Sequence, residues 1–176
     1  MRTYFRKYTE RGYSLIEMLI VLALVGILSL VIVPQFANFA KANKLKTSLR
    51  QFNSDVRNLR QLAITQNLRI RITFPTGPRN ARQYQSLQST DRGVTWTPYP
   101  TPSRSRKTLD PLVYFSSSTF TDVNADTQPD IILLPNGMIN PAGNVVMRAD
   151  APIMQNQATI TIGPTGRIQS VTSHYP

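Results

Sequence analysis

Apolar residues in the first third of the chain follow two successive patterns, and both predict α-helix. From Met18 to Val33 the sequence reads MLIVLALVGILSLVIV and holds no charged residue. Farther along, apolar residues recur every three or four positions, which is the spacing of a helix with one buried face. The residues of this second pattern are Leu45, Leu49, Phe52, Val56, Leu59 and Ala63. We expect the second stretch to pack against a globular domain.

A single helix is predicted to carry both patterns. No residue between Phe36 and Asn67 signals a break, so the helix should run from Ser14 to about Asn67 and measure roughly 80 Å. Pro34 is expected to bend it. A second row repeats at the same spacing, one residue after the apolar row, and predicts a basic stripe about 100° around the helix. The basic stripe consists of Lys46, Arg50, Asn53, Arg57 and Arg60.

Strand signals dominate the rest of the chain. Ile70, Ile72 and Phe74 alternate with Arg71 and Thr73, as in a strand with one buried face. Further strands are predicted at residues 83–88, 94–97, 112–115, 131–134, 138–139, 144–148, 159–162 and 167–171. Turn residues between strands indicate hairpins. The predicted turns are Asp91-Arg92-Gly93, Pro135-Asn136-Gly137 and Gly163-Pro164-Thr165-Gly166. The predicted fold class is α+β, with one long N-terminal helix packed on a C-terminal antiparallel β-sheet in meander order.

The charge of the chain is strongly positive and unevenly distributed. The formal net charge is +11, and residues 1–12 contribute +3 of it. Residues 41–107 hold fourteen lysines and arginines against Asp55 and Asp91, whereas residues 108–176 have a net charge of −3. This asymmetry favours an anionic partner for one face, although a solvated basic surface without a specific partner explains the same charge.

The composition argues against an enzyme. The chain has no cysteine and one histidine, His174, so a thiolate zinc site, a cysteine nucleophile or a histidine-based triad is not expected. The sequence also offers no convincing nucleophile–base pair, phosphate loop or ligand cluster. We therefore predict a protein that is not an enzyme and needs no cofactor.

Three interpretations of the apolar N-terminal segment compete. A secretory signal peptide would end at Ala40-Lys41-Ala42, and a plain membrane anchor would keep the basic residues 2–11 in the cytoplasm. Neither explains Glu17, which lies at the edge of the apolar segment, where an unpaired carboxylate is costly. A third interpretation, given next, provides a positive charge that can pair with Glu17.

The stretch RGYSLIEMLIVLALVGIL resembles the type IV prepilin signature, in which a short basic leader ends at a glycine and a glutamate stands at the fifth mature position. The resemblance implies that a prepilin peptidase cuts between Gly12 and Tyr13 and that the new N-terminus is methylated. Tyr13 stands where the family usually has phenylalanine. Glu17 would then pair with the free N-terminal amine of a neighbouring subunit, and Pro34 falls where the family often has a helix-kinking proline.

The order of segments after the predicted helix resembles one particular family of prepilin-type proteins. LRQLAITQNLRIRITF, an Asp-x-Gly-x-x-Trp turn, IILLPNGMI and ITIGPTGRIQSV together resemble the GspH/FimT-type minor pilins and pseudopilins. This family implies a lollipop-shaped pilin. The implied parts are a leader peptide at 1–12, a hydrophobic transmembrane and filament-core helix at 13–40, an amphipathic helix half at 41–67 and a β-rich globular head at 68–176.

The same resemblance implies partners and a location. The partners are other pilin or pseudopilin subunits, the prepilin peptidase and, before assembly, the bacterial inner membrane, which the chain would cross once. The assembled subunit would lie in a periplasmic or cell-surface filament. Two settings fit: a minor type IV pilin that binds DNA nonspecifically for natural transformation, or a type II secretion pseudopilin that contacts exported proteins.

DNA contacts are predicted where basic and aromatic residues alternate. Residues 75–108 combine arginines with tyrosines and Trp96, which suits a phosphate backbone with stacking bases, although a solvated proline-rich loop has a similar composition. Some pilus members of the family use a Gly-Arg-x-Arg turn, and the matching residues here are Gly166-Arg167-Ile168-Gln169, with Gln169 in place of the second arginine. The predicted DNA contacts are Arg79, Arg82, Arg104, Arg106, Lys107 and Arg167.

One acidic loop has partial calcium-ligand spacing. Asp122, Asn124, Asp126 and Asp130 occupy positions 1, 3, 5 and 9, as oxygen ligands do in calcium loops. Thr127 stands where such loops have glycine, and the glutamate at position 12 is missing. An acidic turn is therefore the favoured interpretation, and no metal site is predicted.

Overall fold

The computed structural model describes residues 13–77, 81–123, 127–150 and 156–173, without the side chains of residues 30–38 and 41–42. Its helices are α1 (Leu15–Thr65) and α2 (Pro102–Ser105). Its strands are β1 (Arg69–Thr73), β2 (Gln83–Ser89), β3 (Thr97–Pro98), β4 (Arg106–Thr108), β5 (Val113–Ser118), β6 (Asp130–Leu133), β7 (Ile139–Asn140), β8 (Gly143–Ala149), β9 (Gln157–Ile162) and β10 (Ile168–Ser173).

The long helix ends where the sequence predicts and in a defined way. Asn67 adopts a positive φ of 53°, and the N–H of Leu68 donates to the carbonyl oxygen of Ala63 at 3.0 Å. The N–H of Asn67 reaches the carbonyl oxygen of Ile64 at 3.4 Å. These two bonds form a Schellman-type cap with asparagine in the left-handed position, which stops α1 and turns the chain into β1.

The chain divides into two compact units, Met1–Ala37 and Asn38–Pro176. In the first unit, the side chains described on α1 are exposed although nearly all of them are apolar. Across the part of the chain whose placement is described, no helix combines the length and the apolar character needed to cross a membrane.

The second unit contains two antiparallel sheets. The first has the order β3-β2-β1-β6-β7, with β4 also pairing with β2, and the second has the order β10-β9-β8-β5. The prediction of antiparallel strands is confirmed. The prediction of a single meander is wrong, because β5 pairs with β8 in the second sheet while β6, which follows β5 in the chain, pairs with β1 in the first sheet. This exchange between sheets depends on pairing over long sequence separations, which no local pattern specifies.

The predicted glycine turns connect paired strands. In the β6–β7 hairpin, Leu133 pairs with Ile139, and Gly137 has a φ of 80°. In the β9–β10 hairpin, Ile162 pairs with Ile168, and Gly166 also has a φ of 80°. Glycine adopts this left-handed conformation without steric cost, so it lets each hairpin close tightly.

Aromatic side chains join α1 to both sheets in the core. Phe52 of α1 lies edge-on to Tyr84 of β2 and to Phe115 of β5, with ring centroids 5.1 and 5.5 Å apart. The ring of Phe74 packs against the ring of Phe115, with centroids 5.0 Å apart. The predicted apolar row of α1 is buried at Leu45, Leu49, Phe52, Val56 and Ala63, whereas Leu59 is only partly buried. Truncation of a buried phenylalanine here is expected to cost about 3–5 kcal/mol.

Strand β1 is buried on both faces, which corrects the prediction of one exposed face. Arg71 is 6% exposed and Thr73 is 8% exposed. The guanidinium of Arg71 lies over the Trp96 ring, 4.6 Å from its centroid, and its Nε is 3.9 Å from a carboxylate oxygen of Asp130. A charged residue tolerates this burial because an aromatic face and a carboxylate replace its hydration.

The Asp-x-Gly-x-x-Trp turn brings Trp96 to that position. Asp91 accepts hydrogen bonds from the Ser89 hydroxyl at 2.6 Å and from the N–H and hydroxyl of Thr95. These bonds, the Ser89 bond foremost, lower the pKa of the Asp91 carboxyl well below its ordinary range. Gly93 has a φ of 96°, and a Cβ there would lie 3.4 Å from the Trp96 ring. The turn therefore has a structural role in covering Arg71.

Candidate functional site

The predicted processing site lies at the edge of the described residues. Gly12 lies outside them, and Tyr13 is exposed just before α1. Glu17 lies in the first turn of the helix, where a negative charge is favoured by the helix dipole. Within the described residues, the carboxylate of Glu17 has no hydrogen-bond or ion-pair partner. Pro34 falls within the bounds of α1, and its side chain is not described.

The six predicted DNA contacts occupy different environments. Arg79 falls outside the described residues. Arg82 is partly buried, and its Nε is buried without a hydrogen-bond partner among the residues that are described. Arg104 and Arg106 are exposed, and among the residues described here neither side chain has a hydrogen-bond or ion-pair partner. Arg106 borders a shallow depression with Gln83 and Gln85 of β2.

Lys107 belongs to a polar network that joins the helix to the sheet. Its Nζ forms an ion pair with Asp55 of α1, and the Tyr84 hydroxyl donates a hydrogen bond to the same carboxylate. Tyr84 and Lys107 are cross-strand neighbours on β2 and β4. Burial, followed by the hydrogen bond to Asp55, raises the pKa of the Tyr84 hydroxyl well above its ordinary range. This network compensates the buried charge of Asp55.

Arg167 is the second residue of the segment Gly166-Arg167-Ile168-Gln169, in which the resemblance locates a DNA-binding turn. It is exposed, and its guanidinium lies beside the side-chain amide of Gln169. With the amide oriented to satisfy both groups, the Gln169 oxygen accepts from Arg167 at 2.8 and 3.2 Å. Gln169 thus supplies an acceptor where the family turn carries a second cation.

Arg60 is a structural residue that the basic-stripe prediction did not identify. Its Nε donates to the carbonyl oxygen of Gly137 at 2.7 Å, and its Nη2 donates to the carbonyl oxygen of Thr165 at 2.9 Å. It therefore connects α1 to one hairpin turn of each sheet. Glycines in both turns, together with an arginine five residues before the helix end at Thr65, could suggest this contact, but they do not specify it.

The remaining stripe residues divide into free cations and a partly buried amide. Lys46, Arg50 and Arg57 are exposed, and no described residue pairs with their side chains. Asn53 is partly buried, and its side-chain oxygen has no hydrogen-bond partner in the part of the chain that the structure describes. The stripe is consequently a basic surface only at its three cations.

The acidic loop shows no arrangement of its described residues around an ion. Asp122 accepts a hydrogen bond from the N–H of Thr127 at 2.6 Å, and Asn124 and Asp126 lie outside the description. Asp130 is fully buried, where it accepts from the Thr73 hydroxyl at 2.6 Å. No group of three or more histidine, cysteine or acidic residues suited to a metal occurs among the described residues.

Comparison with solved structures identifies the same fold in two structures of the minor pseudopilin EpsH from the Type 2 Secretion System of Vibrio cholerae. The first has a TM-score of 0.53 and 15% sequence identity, and covers 72% of this chain and 95% of that chain. The second has a TM-score of 0.52 and 15% identity, and covers 76% and 97%. At this identity the similarity concerns the fold alone.

Two family models match the sequence, and no curated protein sequence matches it significantly. Residues 7–33 match the Prokaryotic N-terminal methylation motif, in agreement with the prepilin resemblance. Residues 48–166, well over half of the chain, match the Type II transport protein GspH model. This protein therefore belongs to the Type II transport protein GspH family, and it combines a prepilin-type N-terminus with an α+β head of the minor-pseudopilin fold.

Proposed function

We propose that this protein is a minor structural subunit of a pilus or pseudopilus. In this proposal a prepilin peptidase cleaves between Gly12 and Tyr13, and residues 13–40 hold the chain in the bacterial inner membrane as a single pass until assembly. The head then lies in the periplasm or at the cell surface as part of the filament. The role is structural and requires neither catalysis nor a cofactor.

The exposed apolar surface at the start of α1 carries this proposal. Leu15 is 78% exposed and Leu28 is 58% exposed. The large apolar side chains between them are each about half exposed or more. Burial of apolar surface stabilises by about 25 cal/mol per Å², so this segment has a strong tendency to enter lipid or a bundle of similar helices. In this proposal the membrane buries the apolar segment before assembly, and the filament core buries it afterwards.

Glu17 fits assembly better than simple anchoring. It is the one charge between Tyr13 and Phe39, and α1 offers it no partner in its described part. Cleavage after Gly12 creates an ammonium group at Tyr13, and the ammonium of a neighbouring subunit can neutralise Glu17 in an apolar bundle. Because one unpaired charge in such a bundle costs several kcal/mol, this pairing favours one register between subunits.

The mature N-terminus tests the proposal. The chain is purified from its host, and its intact mass and N-terminal sequence are measured. The expected result is a chain that begins at methylated Tyr13, and Gly12→Val should block cleavage. Gly26→Ala is the matched control, because a Cβ at Gly26 meets nothing within 4 Å. A mature start at Asn43 would establish a signal peptide instead, and an uncleaved start at Met1 would establish a plain anchor.

Membership of the GspH family supports a type II secretion setting, in which the head would contact exported proteins.

DNA binding is a second candidate. The guanidinium groups of Arg104 and Arg106 favour it, because exposed arginines that pair with no described residue suit phosphate contacts. The engagement of Lys107 with Asp55 reduces the number of free cations at this place.

Salt-dependent binding of duplex DNA tests the second candidate. Anisotropy of a labelled duplex is measured with the full processed chain in detergent at increasing KCl. For DNA binding we expect log K to fall with log salt at a slope of several phosphates, and Arg104→Ala with Arg106→Ala to reduce that slope. Arg57→Ala is the control, because it removes another exposed cation that pairs with no described residue. Absence of binding at low salt would leave the secretion setting.

A further inference from the structure

A cleft of about 400 Å³ opens between α1 and the edge of the first sheet. The helix contributes one wall, and the segment from Tyr99 to Lys107, which includes α2 and the start of β4, contributes the other. The side chains that determine its chemistry are Leu59, Leu62, Tyr99, Pro100, Arg104 and Lys107.

The helix wall of the cleft is apolar and incompletely covered. Leu59 and Leu62 pack against the core but remain partly exposed toward the cleft. Leu59 belongs to the apolar row of α1, in which Leu45, Phe52 and Val56 are fully buried. The chain thus places a core-type residue where its own head does not cover it. An apolar side chain that fills this part of the cleft would bury apolar surface, which is energetically favourable.

The uncompensated charge of the cleft is positive. The carboxylate of Asp55 already accepts from the Tyr84 hydroxyl and pairs with Lys107, so its charge is balanced. The side chain of Arg104 is exposed at the cleft and has no hydrogen-bond or ion-pair partner among the described residues. A guanidinium with free N–H groups next to apolar surface suits a carboxylate beside an apolar side chain.

We propose that this cleft binds a short acidic segment of another filament subunit. One apolar side chain of that segment lies on Leu59 and Leu62, and a neighbouring carboxylate pairs with Arg104. The inference rests on the proposed assembly function, because it names a subunit as the partner.

Charge argues for a different protein as the occupant. A second processed copy lacks the +3 of residues 1–12, so its formal net charge falls from +11 to +8, and it would still be repelled. At least five of the nine acidic residues of the chain are already engaged within the head, which leaves a copy few carboxylates to offer. These five are Asp55, Asp91, Asp110, Asp122 and Asp130. A nucleic acid is less suited because, among the described residues, the cleft offers one partly exposed ring, Tyr99, and one cation without a partner, Arg104, beside a mostly apolar wall.

A labelled peptide tests the cleft directly. The probe is a fluorescein-labelled peptide with a central Leu-Phe pair flanked by glutamates, and its anisotropy is measured with the full processed chain in detergent. We expect saturable binding that weakens at least tenfold when glutamine replaces glutamate, and at least tenfold when alanine replaces Leu-Phe. Arg104→Ala should weaken binding of the first peptide at least tenfold, to the level of the glutamine peptide.

Two further variants separate the cleft from general charge and from misfolding. Asn58 is exposed at the mouth of the cleft, and Asn58→Trp should block binding without altering the core. Arg50→Ala removes an exposed arginine that lies outside the cleft and should change affinity less than twofold. Circular dichroism checks that each variant retains the fold, and Trp96 fluorescence adds a second check for the variants that introduce no further tryptophan.

The proposal is overturned if the three peptides bind equally, if none binds saturably, or if Arg104→Ala and Asn58→Trp leave binding unchanged. Tighter, Arg104-dependent binding of a single-stranded oligonucleotide would assign the cleft to nucleic acid and also overturn it. The N-terminus of the same preparation is determined by mass. A chain that begins at Tyr13 but binds no peptide refutes the cleft alone, whereas a start at Asn43 refutes the assembly function independently.

Discussion

The guanidinium of Arg60 occupies the space in which a side chain at Gly166 would lie. A Cβ built on Gly166 would be 2.4 Å from Cζ of Arg60. The close approach exists because Arg60 donates to the carbonyl oxygens of Gly137 and Thr165. One arginine of α1 and one glycine of the β9–β10 turn therefore depend on each other.

Arg60→Ala is expected to destabilise the head by about 2–3 kcal/mol, because two hydrogen bonds from a charged donor are lost. Arg60→Lys should restore only part of this, since one ammonium group does not reproduce the two-pronged geometry. The free energy of unfolding is measured by urea titration of the full chain in detergent, with Trp96 fluorescence as the signal. Arg57→Ala is the control and should stay within about 0.5 kcal/mol of the parent chain. Equal effects at the two positions would contradict the role of Arg60.

Gly166→Ala is expected to cost about 2–4 kcal/mol, because alanine resists the left-handed φ of 80° and displaces Arg60. In the Arg60→Ala background the cost should fall to about 1–2 kcal/mol, since only the backbone strain remains. Gly163→Ala is a matched control in the same turn, where the nearest atom to a new Cβ is 3.7 Å away. Additive costs in the double variant would show that the two residues are not coupled.

Tyr84 makes the stability of the head sensitive to alkaline pH. Its pKa is raised in the folded state above the ordinary value of 10.0, so folding favours the protonated phenol. The stabilisation is complete below about pH 10 and is lost as the pH rises toward the raised pKa, at up to about 1.4 kcal/mol per pH unit. Urea titrations between pH 8 and 11 should show this slope in the parent chain and a smaller one in Tyr84→Phe. Parallel pH profiles would disprove the assignment.

Glu17→Gln should leave cleavage intact and impair assembly. The amide cannot neutralise the ammonium of a neighbouring Tyr13, and loss of one member of a buried pair costs about 3–5 kcal/mol, or about a hundredfold or more in incorporation. Mass spectrometry of the N-terminus and the yield of filament-associated subunit measure the two steps separately. Glu17→Asp is the conservative comparison. Normal incorporation of the glutamine variant would remove Glu17 from the assembly mechanism.

Local signals predicted the parts of the fold that depend on nearby residues. The sequence predicts a helix from Ser14 to about Asn67, and α1 runs from Leu15 to Thr65. The agreement arises because apolar spacing acts within a few turns, and the structure adds that Asn67 takes the left-handed position that ends the helix. The Gly137 and Gly166 hairpins were found for the same reason, since each turn needs a left-handed residue.

Features that depend on distant contacts were not predictable in this way. Alternation in β1 indicated which residues share a face, but not that Trp96 would cover the face of Arg71. The basic residues were counted correctly, yet Arg60 and Lys107 are held by carbonyl oxygens and a carboxylate from other elements. Composition therefore overestimated the cations free to bind a partner.

The contacts of Arg60 also bear on the order in which the head can form. The acceptors lie 77 and 105 residues farther along the chain, so the helix cannot complete them until almost the entire head has been synthesised. Closing such long loops is slow, and until the last hairpin arrives the end of α1 has neither turn to hold it. Nascent chains interrupted before Thr165 should thus be readily cleaved by proteases near the end of α1, whereas chains that extend past it should resist.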